Sequence, residues 1–409
     1  MAEVNLAEIK DKVLIYDGRK LGLISAIVAL LGFIGLAIGL VFSPSRTFLS
    51  YVMAYFFAFS VVTGALFFTM IGYATNASWM AVVRRVIECI VLPLPALAVL
   101  FIAIPFGIPW LYPWYTPPPG TDAHTLEVLH HRSAYMNVPF FVIRAIVYFA
   151  IFLVAGMLLR RWSVRRDQLE HAPVGDPKVL LGRERAFSSA MLPPVGLAFT
   201  FAGMDWVMSL QPAWYSSIFG IYLFGGGFLA AIGLVTALAG RMWSRNLGGG
   251  TLSVNHFHAL GRLLFAFTVF WAYNAFFQAM LIRIANKPEE VRFYIERITG
   301  MWAVFAFLLA IGHFAVPFLL LLLRAPKFRP RWMAITGGWL FAMNLIDVYW
   351  LVIPSRVQGW AVFSWLDLAA LAAVVGTCVA VAAWRQHRVP IVAVHDPFLA
   401  KGITYRSTL

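Results

Sequence analysis

Charge is scarce in this sequence. Only 12% of its 409 residues are Asp, Glu, Lys or Arg, against about 25% in soluble domains. A water-facing surface over a large soluble core cannot be built from so few, because 61% of the chain is hydrophobic. Several long apolar helices would have to hide in one core that the rest of the chain scarcely covers. Cysteine is nearly absent as well. Cys89 and Cys378 each lie inside an apolar run, with no CxxC, no CxxCH and no disulfide framework, which excludes a covalently attached c-type haem. Also missing are a zinc-spaced cluster, a GxxxxGK[ST] phosphate loop and a GxGxxG ahead of a helix, so the usual metal and nucleotide signatures are absent. Acids are the scarcer charge, which leaves a net charge of +14. A nucleic-acid partner does not follow, since the Lys and Arg residues sit in short connections between apolar runs, the distribution that membrane orientation produces.

Long apolar runs are abundant. A spanning helix needs roughly 20 mostly apolar residues, and ten such runs are present, at 21–42, 48–72, 80–106, 137–160, 188–210, 216–240, 254–284, 298–323, 332–353 and 361–384. The pattern predicts an all-α integral membrane protein with ten transmembrane helices. Pro93, Pro95 and Pro105 punctuate the third run, and membrane helices tolerate such kinks where neighbours re-satisfy the freed backbone. The opening "MAEVNLAEIKDKVLIYDGRK" mixes acids and bases and leads into a run long enough to span, so the first segment is expected to be retained rather than cleaved. An even number of spans puts both termini on one side. That side also receives Arg160, Arg161, Arg165, Arg166, Lys178, Arg183 and Arg185, then Arg324, Lys327, Arg329 and Arg331, so both termini are expected in the cytoplasm. The expected organisation is a cytoplasmic segment 1–20, a membrane domain 21–385 and a cytoplasmic tail 386–409. Within the membrane domain lie an outer interfacial loop at 107–136, rich in Pro and Trp, and a basic inner loop at 161–187. "FGGGF" at 224–228 reads as close helix packing, and Ser253 or Asn255 as the cap of the seventh helix.

The few ionisable residues inside the runs carry the functional question. A charged side chain at the centre of a bilayer costs at least about 2.5–3.5 kcal/mol, so it marks a pathway, a site or an ion pair. Asp205 falls about five residues before the outer end of the fifth run, roughly 7–8 Å below the surface. Asp347 lies at a similar depth in the ninth, with Asn344 on the same face, and Arg144 is in the outer half of the fourth. Equal depth predicts one outer site shared by Asp205, Asp347 and Arg144. Gln278 and Asn274 are an i, i+4 pair in the outer half of the seventh run, and Asp367, near the start of the tenth, reads as interfacial. An inner set comprises Glu88, His258 and Arg262, and His313 sits near the middle of the eighth run. Two readings follow. Either these groups form a relay that moves protons or serves a quinol head group, or the aspartates are structural ions paired with Arg144 and His313 is a hydrogen-bonded core histidine.

The strings "NVPFFVIRAIVYF", "FTFAGMDWVMSLQPAWYSSIFG", "LGRLLFAFTVFWAYNAFFQAMLIRIANKPEEVRFYIER", "HFAVPFLLLL" and "IDVYWLVIP" together resemble the second quinone-oxidoreductase-like membrane subunit, the ActF type, of bacterial alternative complex III. Its wider relatives are the membrane subunits of the polysulfide reductase type. The resemblance runs over about residues 20 to 385. It implies two antiparallel four-helix bundles, helices 2–5 and 6–9, flanked by helices 1 and 10, in a bacterial inner membrane. It also implies membership of a complex that oxidises menaquinol or ubiquinol and passes electrons to a cytochrome c or an oxidase. No cofactor is implied in this chain. Haem c and iron–sulfur clusters belong to partner subunits, alongside a homologous larger membrane subunit, lipids and a terminal oxidase. Proton conduction and assembly are the roles implied for this subunit; the larger membrane subunit is the stronger candidate for the quinol site, and the resemblance leaves open a quinol site near the periplasmic face of this chain. The family string carries an acid after "MSL", where this chain has Gln211, which hydrogen-bonds but does not titrate. A secondary transporter, with inverted repeats, and a purely structural anchor are the competing classes.

Overall fold

The computed structural model describes residues 13–121, 123–171, 173–212, 214–360 and 362–407. The first part of the expected 1–20 segment and the last two residues of the tail lie outside these. Among the described residues, ten helices are long and apolar enough to cross a membrane. They are α1 (Arg19–Phe42), α2 (Pro44–Ala74), α3 (Arg84–Phe106), α4 (Val138–Asp167), α5 (Gly182–Leu210), α6 (Phe219–Ser244), α7 (Val254–Ala285), α8 (Met301–Leu322), α9 (Pro330–Ser355) and α10 (Trp365–Gln386). The chain is thus a multi-pass membrane protein, and the ten expected spans are the ten observed helices, with ends moved by a few residues.

Local sequence explains the breaks. Three pieces make up α3, Arg84–Val91, Leu94–Phe101 and Ala103–Phe106, and the first interruption falls at Pro93, whose ring forbids a regular turn. At the start of α7, Ser253 is the cap, and His256 completes a capping box by accepting from the Ser253 backbone N–H at 2.9 Å. Such a box satisfies two backbone donors that a helix start otherwise leaves unpaired. In α8, Leu309–Ala315 widens into a π-helix, a form that appears chiefly as short interruptions and often at functional sites.

Two helices form the centre. Nearly all of α2 is buried, as is most of α6, while α1 and α7 turn large apolar faces outward. The central pair is joined by glycine. A Cβ on Gly64 of α2 would lie 2.5 Å from the Gly227 carbonyl, and one on Gly227 would lie 2.7 Å from the Ser60 carbonyl. Backbones approach this closely only where side chains are missing. Around this seam, α3, α5 and α10 pack on α2, whereas α7 and α9 pack on α6, and α1 lies along α10. A second glycine contact, Gly233 against Gly337, holds α6 to α9.

One side of the molecule collects both described ends of the chain. Leu14 bonds Leu247, Tyr16 bonds Val389 and Ile391 bonds Leu14 through the backbone, so the segment before α1, the α6–α7 connection and the tail are tied together. The tail continues across this side, with Gly402 O on His256 Nε2 at 2.9 Å.

Gly64→Leu would force α2 from α6 and is expected to cost about 1–3 kcal/mol, the range for overpacking, lowering Tm in detergent. Gly338→Ala is the matched control. A methyl group added at Gly338 would meet no neighbouring atom within 4 Å, and a Gly to Ala change in an unstrained helix stabilises by about 0.4–1 kcal/mol.

Candidate functional site

The two aspartates do not share a site. Asp205 belongs to α4 and α5. Its carboxylate accepts from Arg144 Nε at 2.8 Å, from Arg144 Nη2 at 3.0 Å and from the Tyr148 hydroxyl at 2.9 Å. The third guanidinium nitrogen, Nη1, donates to Tyr135 O at 2.8 Å, and the guanidinium lies over the Tyr135 ring at 3.8 Å and the Phe140 ring at 4.4 Å. Every nitrogen of the guanidinium is engaged and the pair is bidentate, the strongest form of charge-assisted bond. Arg144 therefore compensates Asp205 fully, as the structural-ion reading expects for this aspartate.

Asp347 belongs to α6, α7 and α9. It is buried and is held by neutral donors. The Tyr222 hydroxyl donates to Oδ1, and Trp271 Nε1 donates to Oδ2 at 2.9 Å. No ion pair involves Asp347 among the described residues. Its expected partnership with Arg144 is overturned because the arginine is consumed by Asp205. Asn344, one turn earlier and also buried, reaches Ser60 Oγ of α2 at 3.4 Å.

The "FGGGF" stretch builds this second site. Three successive glycines on α6 point about 100° apart, as a helix of 3.6 residues per turn requires. Gly225 meets Phe270 of α7 and Gly227 meets α2. Gly226 faces α9, where a Cβ would come 2.9 Å from Asn344 Oδ1 and 3.4 Å from Asp347 Oδ2. Tyr222 is four residues before Gly226, so its hydroxyl and the glycine gap lie on one face. The glycines therefore serve packing, as expected, and also clear the space occupied by the carboxylate.

His313 adjoins the same site. Its ring stacks on Trp271 with centroids 4.0 Å apart, so one indole touches both the histidine and, through Nε1, the aspartate. His313 is 0% exposed, and neither ring nitrogen has a hydrogen-bond partner among the described residues. The expectation of a hydrogen-bonded core histidine is thus corrected. The π-turn around it changes the local pairing, and Gly312 O instead accepts from Trp339 Nε1 at 2.6 Å.

The inner set divides. Glu88 sits in a buried ion network, accepting from Arg85 Nη1 at 2.7 Å and Arg160 Nη1 at 2.8 Å on one oxygen. Arg160 also holds Gln386 at 2.8 Å, Arg85 pairs with Asp167, Arg84 with Asp396 of the tail, and Arg166 with Glu184. These pairs clamp α3, α4, α5, α10 and the tail together. His258 is elsewhere, with Nδ1 at 2.6 Å from Ser407 Oγ and its ring stacked on Phe328. Arg262 is exposed, so His258 and Arg262 do not continue the Glu88 cluster. Gln278 accepts from Ser216 Oγ at 3.0 Å and donates to the Tyr294 hydroxyl at 2.9 Å. It fastens α7 to the α5–α6 and α7–α8 connections rather than to Asp347. Among the described residues, no His, Cys, Asp and Glu group could hold a metal ion.

Three partnerships are not readable from the sequence. Tyr222 and Trp271 are neutral, and nothing in an aromatic-rich chain singles them out, although the Tyr222–Gly226 spacing is a usable signal. Asp367 is more than interfacial. It caps α10, pairs with Arg46 at 2.5 Å and accepts from Ser50 Oγ at 2.7 Å and the Tyr349 hydroxyl at 3.0 Å.

No protein-family model matches this chain, and no curated protein matches it.

Removing one member of the Arg144–Asp205 pair strands a buried charge. Arg144→Gln is expected to lower stability by about 3–5 kcal/mol. Adding Asp205→Asn should recover much of that loss in a double-mutant cycle on detergent-induced unfolding. Additive losses would mean that the two side chains are not coupled.

Proposed function

We propose that this chain is a membrane subunit of a bacterial quinol-oxidising respiratory complex of the alternative complex III type, and that Asp347 is its proton-accepting group. The observation that carries the reading is the contrast between the two aspartates. Asp205 is locked to a guanidinium, whereas Asp347 is equally buried, has no cation among the described residues and is held by a phenol and an indole. A carboxyl group in that setting can hold a proton or give it up without breaking an ion pair. Quinol oxidation releases protons together with electrons, and carboxylates or imidazoles are the side chains suited to accept them. His313, stacked on the indole that donates to Asp347 and uncommitted at both nitrogens among the described residues, is the second candidate group beside it.

The rest of the reading follows the same lines. Packing of α7 and α9 on α6, and of α3 and α5 on α2, supports a grouping into two four-helix bundles, α2–α5 and α6–α9, with α1 and α10 outside. The concentration of Lys and Arg on the side of the chain ends supports cytoplasmic termini in an inner membrane. The buried clamp of Arg84, Arg85, Glu88, Arg160 and Asp396 supports an assembly role for that side. Menaquinol or ubiquinol would be the substrate of the whole complex. Haem c and iron–sulfur clusters would reside in partner subunits, beside a homologous larger membrane subunit.

Asp347→Asn keeps the shape and both hydrogen-bonded contacts possible but cannot carry the proton. In a complex that still co-purifies with haem-containing subunits, quinol:cytochrome c turnover and proton release are expected to fall by about 10²-fold. Full turnover in an intact Asp347→Asn complex would contradict the reading. Isolation of the chain alone, with substrate uptake in vesicles, would favour a transporter.

A further inference from the structure

On the side opposite the chain ends, a cleft of about 320 Å³ opens between the connections, at the lower end of the size of small-molecule sites. Pro118 and its neighbours form one wall, and Leu210, Gln211 and Arg356 contribute to the others. Trp214 and Phe293 also line it, stacked at 3.8 Å with their planes 9° apart. Both rings are buried, and the Arg297 guanidinium covers the other face of Phe293 at 3.5 Å, so they form the floor of the cleft, while Pro118 and Pro119 supply its exposed apolar wall beside several polar groups.

Among the described residues, the charges around it do not balance. Glu296 is satisfied on both oxygens, by Arg292 Nε at 2.9 Å and by Gln211 Nε2, so Arg292 and Glu296 neutralise each other. Two further guanidiniums remain. Arg297 lies behind Gln211, 1% exposed, and donates to Gln211 Oε1 at 2.8 Å, Phe293 O at 2.9 Å and Leu351 O at 2.7 Å. None of these acceptors is charged. Burial pushes its pKa down to about 9, still above neutral pH, so the positive charge persists. Arg356 is in the wall itself. Its one hydrogen bond goes to Leu111 O at 3.1 Å, and among the described residues no carboxylate pairs with it.

We propose that this cleft binds a carboxylate attached to a small apolar body, with Arg356 as the direct anchor and the exposed Pro118 and Pro119 wall as the seat for the apolar part. A planar guanidinium matches a carboxylate fork, and one reachable guanidinium suits a single negative charge better than a phosphate dianion. Arg297 adds a favourable field from behind Gln211 without touching the ligand. The inference stands apart from the quinol reading, since it uses none of the residues of the Asp347 site.

The test uses the full-length protein purified in mild detergent with the subunits that accompany it, and fluorine NMR of para-fluorobenzoate, with para-fluorobenzamide as the neutral match. Saturable broadening of the benzoate signal and none of the amide is expected. Arg356→Gln should weaken benzoate binding roughly tenfold or more, as loss of a charge-assisted bond implies. Pro118→Trp, which fills the cleft from an exposed wall and leaves every buried charge in place, should do the same. Equal binding of the amide, benzoate binding unchanged in both variants, or displacement of benzoate by an equal concentration of inorganic phosphate would overturn the proposal. A short glutamate- and phenylalanine-containing peptide separates the sources. Displacement by it assigns the carboxylate to a docking polypeptide, and lack of displacement assigns it to a small molecule.

Discussion

The backbone contact between α2 and α6 governs much of the rest. Gly64 and Gly227 let the two helices meet without intervening side chains, and because α6 is rigid, that contact fixes the rotation of its neighbouring residues. Once Gly227 faces α2, Gly226 must face α9, and Tyr222 must lie one turn away on the same side. The carboxyl of Asp347 then fits against α6 and receives the Tyr222 hydroxyl. A packing constraint in the middle of the molecule thereby becomes a chemical one at the buried acid.

Two buried aspartates illustrate how donors decide what a buried carboxylate can do. Where the donor is a guanidinium, the charge is compensated and the pair resists any change of state, since each partner would be stranded without the other. Where the donors are a phenol and an indole, the carboxyl keeps its hydrogen bonds while its charge is left open. The stacked indole also brings an unpartnered imidazole next to it. In the Glu88 cluster a third arrangement appears, with arginines and acids that join α3 and α4 to each other and to the tail. Its acids are pinned by cations, as Asp205 is, so each would strand a buried charge if its partner were lost.

Much of this is legible in the sequence. All ten helices follow from apolar run length alone, since hydrocarbon admits few other solutions, and the Ser253 cap and the glycine packing are readable from local pattern. Arg144 beside Asp205 is one of the two readings that the sequence supports. The separation of Asp347 from that pair is not legible, because depth along a helix is set by sequence but azimuth is set by packing, and only the glycine seam determines which face of α9 meets α6. The neutral partners Tyr222 and Trp271 are invisible for a related reason. A phenol or indole becomes notable only when a carboxylate is placed against it. Gln211 stands where the family string that the sequence resembles has an acid, yet its amide bridges the buried Arg297 to Glu296, which the α7–α8 connection supplies.

The central claim is that Asp347, and not Asp205, changes protonation when the complex turns over. Infrared difference spectroscopy of the intact complex, recorded between its quinol-reduced and oxidised states, reads this directly through the carbonyl stretch of a protonated carboxyl. The account predicts one such band that disappears in Asp347→Asn and persists in Asp205→Asn. A band that survives in Asp347→Asn, or one that is lost only in Asp205→Asn, would contradict it.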